Sequence, residues 1–193
     1  MVPEEYRLKC LAIEMPIFPL DLKKLSSFSL KPQTIDFLKI GLPKHVAPYI
    51  SFKTGDKLSN SIETLNRIYD IQDEFEKYVV IGADGSGNPI AINTTNNDTV
   101  EWLDHEDYFS SSYFNSSIET MLSFFMIYED FLKTILLENG EDAVLNSNFT
   151  DEQFIDMKNK MLLVDAKAVN ELGFWNEELE TELANREYYS SHD

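Results

Sequence analysis

The stretch "KYVVIGADGSGNPIAINTTNNDTVEWL", residues 77–103, decides the fold. "KYVVIG" (77–82) is β-branched and apolar, which suits a central strand. "PIAIN" (89–93) reads as a second strand and "TVEWL" (99–103) as a third. The connections "ADGSGN" and "TTNND" are polar and rich in turn-forming residues. Three strands joined in this way form an antiparallel meander.

The glycine-rich connection admits three chemistries. A dinucleotide fingerprint needs G-x-G-x-x-G opening a helix, but Gly82, Gly85 and Gly87 are spaced G-x-x-G-x-G and Pro89 follows. A Walker loop needs a Gly-Lys-Ser/Thr ending, which this stretch lacks. An EF-hand loop would use Asp84, Ser86 and Asn88 at alternate positions. It would also need Gly where Pro89 stands and Glu where Thr95 stands. A hairpin remains, with Gly82, Asp84, Gly85, Gly87 and Asn88 as its turn residues, Gly85 and Gly87 expected at positive φ and Asp84 and Asn88 bonding the local backbone.

Outward from the meander, "SLKPQTIDFLKIGLPKHV" (29–46) reads as a short helix with Pro32 in its first turn and Gly41 and Pro43 as its stop. "YISF" (49–52) reads as a strand, and "SIETLNRIYDI" (61–71) fits either helix or strand. "NSSIETMLSFFMIYEDFLKTIL" (115–136) is the clearest helix. Ser116 and Glu119 have capping-box spacing, and Ile118, Met121, Leu122, Phe125, Leu132 and Ile135 recur on one face. "TDEQFIDMKNKMLLVDA" (150–166) is a second long helix with Thr150 and Gln153 as its capping box. "VNELGFWNEELETEL" (169–183) closes the fold, with Phe174 and Trp175 as anchors and an acidic exposed face.

The 193 residues are 43% hydrophobic and 12% aromatic, enough for one sizeable core. A net charge of −18 is unevenly spread. Residues 1–59 hold nine Lys/Arg and six Asp/Glu, and residues 60–193 hold seven and twenty-eight, a net of −21. Such a surface repels nucleic acid and anionic membranes and attracts basic proteins. No apolar run is long enough for a transmembrane helix, and the N-terminus is acidic where a signal peptide is basic, so a cytoplasmic protein is expected. Cys10 is the single cysteine, which forbids an internal disulfide, and it lies in an expected N-terminal surface segment. The sequons at Asn93, Asn97, Asn115 and Asn148 are then chance matches.

Asp104, His105, Glu106 and Asp107 have the residue types of a metal or acid–base site. Neighbouring side chains on a loop diverge, however, and His45 and His192 are the only other histidines. A solvated acidic loop is the expectation, and no catalytic constellation, metal site or cofactor site is expected elsewhere.

"FLKIGLP" (37–43), "YVVIGADGSGNPIAI" (78–92), "VEWLDHE" (100–106) and "FNSSIETML" (114–122), in this order and spacing, resemble the SUKH superfamily. The resemblance is to its branch of bacterial immunity proteins, related to yeast cell-wall regulators of the Smi/Knr type. It covers residues 30–136, and "VDAKAVNELGFW" (164–175) resembles the ending of the same branch. The resemblance implies one α+β domain over residues 1–193, with a core at about 30–136 and a helical extension at about 137–193. It implies a curved, mostly antiparallel sheet of about five to six strands packed against helices. It also implies a cytoplasmic protein without catalysis that neutralises a cognate toxin, many such toxins being nucleases.

A nuclease surface is basic because it binds phosphate, and an acidic inhibitor suits it. The expected contacts are Glu101, Asp104, Glu106 and Asp107, with Tyr108 as an aromatic anchor. The second placement is Glu177, Glu178, Glu180 and Glu182. Two other functions fit less of this pattern: a scaffold with an endogenous partner, and a small hydrolase built on Asp104–Asp107.

Overall fold

The structure, a computed structural model, describes residues 1–55 and 61–191. His192 therefore lies outside the described residues, as do Asp56 and Lys57. The chain divides into two compact units, Met1–Leu122 and Ser123–Asp193.

The first unit begins with helix α1 (Pro3–Ala12), strand β1 (Ile17–Phe18), a single helical turn α2 (Leu22–Leu25) and helix α3 (Pro32–Ile40). Strands β2 (Leu42–Pro43), β3 (His45–Val46), β4 (Ile50–Phe52) and β5 (Glu63–Thr64) follow, then the short helix α4 (Leu65–Tyr69). The meander comprises β6 (Tyr78–Ala83), β7 (Pro89–Asn93) and β8 (Thr99–Asp104), extended by β9 (Ser110–Asn115). Helix α5 (Ile118–Asn139) runs on into the second unit, which also holds α6 (Asp151–Asn170) and α7 (Phe174–Ser190).

The α+β class stands. A seven-stranded sheet runs β3-β4-β6-β7-β8-β9, with β5 paired to β6. The two-residue strands β3 and β5 bring the number above the expected five to six. All pairings among the described residues are antiparallel, and β1 and β2 form a separate pair. Every residue of β7 is buried, as a strand covered on both faces should be. One face carries Tyr78, Val80, Ala91 and Leu103, packed with Leu65 and half-buried Ile71, Phe75 and Phe109. The register places Val79 opposite Ile92, Ile92 opposite Val100 and Ile90 opposite Trp102 on the other face.

Several sequence expectations change. The N-terminal segment is a helix, and Cys10 is fully buried beside Tyr6 rather than on the surface. Pro3 starts α1 and Glu4 and Glu5 occupy its first turn, favourable groups for a helix N-terminus. "SSSYFN" (110–115) is a strand, held by its ladder to β8 rather than by its own propensity. The ambiguous 61–71 segment is both strand β5 and helix α4.

Asp98, in the β7–β8 turn, organises the start of α3. Its Oδ2 accepts from the Lys31 backbone N–H at 2.7 Å and from the Thr34 hydroxyl at 2.7 Å, and only 2% of the residue is exposed. A buried carboxylate satisfied by charge-assisted bonds at a helix N-terminus stabilises both elements.

In the second unit, Trp175 is the hub. Its ring lies 5.1 Å from Phe124, 5.6 Å from Phe125 and 6.4 Å from Tyr128 between centroids. The α6 capping box forms with both halves present: Gln153 N donates to Thr150 Oγ1 at 3.2 Å and Thr150 N donates to Gln153 Oε1 at 2.9 Å. Ser117 Oγ accepts from Thr120 N at 3.2 Å at the start of α5. Buried Phe124, Tyr128 and Phe131 join the α5 core residues expected from periodicity, while Leu132 is half-buried.

Candidate functional site

The ladder registers place three turns at one end of the sheet. Ala47–Tyr49 joins β3 to β4, Asp84–Asn88 joins β6 to β7, and His105–Phe109 joins β8 to β9. Their positions follow from the pairings Ser51 with Ala83, Ala83 with Pro89, and Asp104 with Ser110.

The middle turn is tied by one carboxylate. Asp84 Oδ1 accepts from Ser86 N and Asn88 N, both at 2.9 Å. Its Oδ2 accepts from Asn88 Nδ2 at 2.9 Å and from Trp102 Nε1 on β8 at 2.8 Å. Burial pushes the Asp84 pKa up. The donors on Asn88, Trp102 and Ser86 outweigh that and hold it below the ordinary aspartate value. Its contribution to stability is therefore present above the unfolded pKa and fades as pH falls through the folded one.

Asn88 carries the network onward. Its Nδ2 faces Asp84, so its Oδ1 is the acceptor, and it takes His105 N at 3.1 Å and His105 Nδ1–H at 2.6 Å. Trp102, Asp84, Asn88 and His105 thus form a chain that locks the β6–β7 turn to the β8–β9 turn.

The glycines divide their roles differently from expectation. Gly87 has φ +92°, but Gly85 is not at positive φ. A β-carbon on Gly85 would lie 3.3 Å from Tyr49 Cβ, so the first and second turns touch there. Gly82 belongs to β6, not to the turn, and is paired with Phe52 and Ile90. A β-carbon on it would meet Ser51 O at 2.6 Å and a Phe52 ring carbon at 2.8 Å.

The residues expected to contact a partner do not all lie together. Glu106, Asp107 and Tyr108 are exposed in the β8–β9 turn, with Asp104 half-buried at its start. Asp104 Oδ1 accepts from Glu106 N at 2.9 Å, which shapes the turn. Glu101 is set apart. It is 7% exposed, and its Oε1 accepts from Asn93 Nδ2 at 2.9 Å and Asn96 Nδ2 at 3.3 Å, near the opposite end of the sheet. Strand alternation turns it inward beside Ala91.

Sequence reasoning missed Tyr49, which is 84% exposed. Its backbone is left-handed, φ +53°, as is that of Tyr108 at +50° and Phe109 at +58°. A residue with a β-carbon gives up about 1–2 kcal/mol in that region. Phe109 offsets the cost by packing its ring 4.7 Å from Tyr69 and 6.0 Å from Phe75.

On α7, Glu177 and Glu180 are exposed, but Glu178 and Glu182 are half-buried. Both accept from the Tyr128 hydroxyl, at 3.2 Å and 2.6 Å. Burial, and then the neighbouring Glu182 carboxylate, push the Glu178 pKa up to about 7, with the Tyr128 hydroxyl acting against them. The acidic face of α7 is thus partly spent on internal bonds. Among the described residues no group of three or more His, Cys, Asp or Glu is arranged to hold a metal ion. No helix among them is long and apolar enough to cross a membrane.

The chain matches the family model described as "SUKH-4 immunity protein" over residues 16–181. It belongs to the SUKH-4 immunity protein family, within the SUKH superfamily. The match covers the meander, the three turns and most of the helical second unit. An immunity family implies a toxin partner and suggests a non-enzymatic role. The comparison with curated proteins found no match, and the comparison with solved structures found none.

Proposed function

We propose that this SUKH-4 protein binds a cognate toxin in the cytoplasm and neutralises it by occupying its surface, without catalysing a reaction. The toxin is a basic domain of the nuclease kind. Family membership over residues 16–181 is the observation that carries this reading. The charge of −21 on residues 60–193 supports a basic partner, because opposite fields steer the two surfaces together. The contacts assigned to the protein are Asp104, Glu106, Asp107 and Tyr108 on the β8–β9 turn, and Glu101 is not among them. The family match, which runs through both units, supports reading the chain as one functional domain.

Co-expression with a candidate toxin domain, sought among the products of neighbouring genes, tests the reading. Growth should be restored by the wild-type protein, and association should slow as added salt shortens the reach of the charge. Failure to restore growth, with both proteins present, would instead favour a scaffold that serves an endogenous partner.

A further inference from the structure

Two side chains at the three-turn end of the sheet stand almost wholly in solvent. Tyr49 is 84% exposed and Tyr108 91% exposed. Phe109 has the same left-handed backbone but buries part of its ring against Tyr69 and Phe75. Tyr49 and Tyr108 are held in that backbone region with their rings in solvent.

Their turns are fixed relative to one another. Tyr49 sits against Gly85, and the Gly85 turn is bonded through Asn88 to His105, three residues before Tyr108. Strand order separates β4 from β8 by three steps, about 14 Å at roughly 4.8 Å per strand. A standard interface, about 800 Å² on each side, spans that distance. The segments 47–49, 84–88 and 104–109 hold four carboxylates, Asp84, Asp104, Glu106 and Asp107, and no Lys or Arg.

We propose that Tyr49 and Tyr108 are two anchors of a single binding face, and that its occupant is an Arg- or Lys-bearing surface of the toxin domain. This rests on the immunity reading and adds to it the β3–β4 turn, a second anchor and the chemistry of the groups bound. A tyrosine ring accepts a guanidinium or ammonium over its face, and the carboxylates of the β8–β9 turn, Asp104, Glu106 and Asp107, complement the same charge. They also repel phosphate, so a nucleic acid is not the occupant. Rigid aromatic side chains supply contact area with few rotamers to freeze, and a turn locked at both flanks presents them already ordered.

Binding kinetics with the purified toxin domain test the face. Tyr49→Ala and Tyr108→Ala should each weaken Kd by about 10- to 100-fold, mainly through faster dissociation. The double variant should lose roughly the product, because the sites lie too far apart to couple. Tyr49→Gly and Tyr108→Gly should weaken binding equally while raising Tm by about 2–4 °C, since glycine is unstrained at positive φ. Leu163→Ala, which removes an 89% exposed side chain on α6, should leave Kd unchanged. Tight binding by the wild type with the double variant within twofold of it would overturn the face and leave the immunity reading intact. Failure of the wild type to bind would overturn both.

Discussion

Gly82 and Gly85 lie three residues apart in one glycine-rich motif, yet they answer to different constraints. At Gly82 a β-carbon would collide with backbone, Ser51 O at 2.6 Å, which cannot move without breaking the β4–β6 ladder. At Gly85 the nearest atom is the β-carbon of an exposed tyrosine at 3.3 Å, and φ is not positive. Gly82→Ala should therefore cost about 2–3 kcal/mol. Gly85→Ala should stay within about 0.5 kcal/mol of wild type, because lower unfolded-state entropy offsets slight crowding. Urea midpoints of the two variants check the contrast.

Glu178 makes a second prediction at this scale. Its folded pKa is raised to about 7 from an ordinary 4.5. Between those values the folded state holds the proton that the unfolded state has released, so stability falls as pH rises from about 4.5 to 7. Glu178→Gln should flatten that fall, leaving the variant more stable relative to wild type at pH 8 than at pH 5. Thermal melts across this range read the slope. An unchanged slope would place the titration elsewhere.

At the scale of elements, the central meander was legible because each strand has its own β-branched run and each connection its own turn residues. The α6 capping box was legible because Thr150 and Gln153 are three residues apart, and the interaction is local. What escaped depends on distant partners. Helix α1 buries little besides Tyr6 and Cys10, too thin a stripe to stand out. The serines of β9 pair only because β8 is there to receive them. Glu101 looked like a surface charge until Asn93 and Asn96 were found converging on it. Tyr128 meets Glu178 and Glu182 across 50 and 54 residues, which no local pattern reports. The core face of α5 was readable from its period, and Phe125 is fully buried against Trp175. Phe125→Ala should destabilise by about 3–5 kcal/mol, measured by denaturant unfolding. An unchanged midpoint with lost toxin binding would make that face a groove instead.

For the whole molecule, charge and family point the same way. Acidic residues concentrate after residue 60, and the three-turn end gathers four of them around two unpacked tyrosines. Long-range attraction would bring a basic partner in quickly, and aromatic anchors would then retain it. The site was half legible in sequence. The 104–108 segment advertised itself by composition, whereas Tyr49 joins it only through a strand register that no single stretch encodes. Calorimetric titration of the protein with a toxin domain that it protects cells against tests the central claim most directly. A one-to-one complex with Kd in the nanomolar range or tighter, weakening as salt rises, is the predicted result. The absence of heat and of any complex at micromolar concentrations of both proteins would contradict it.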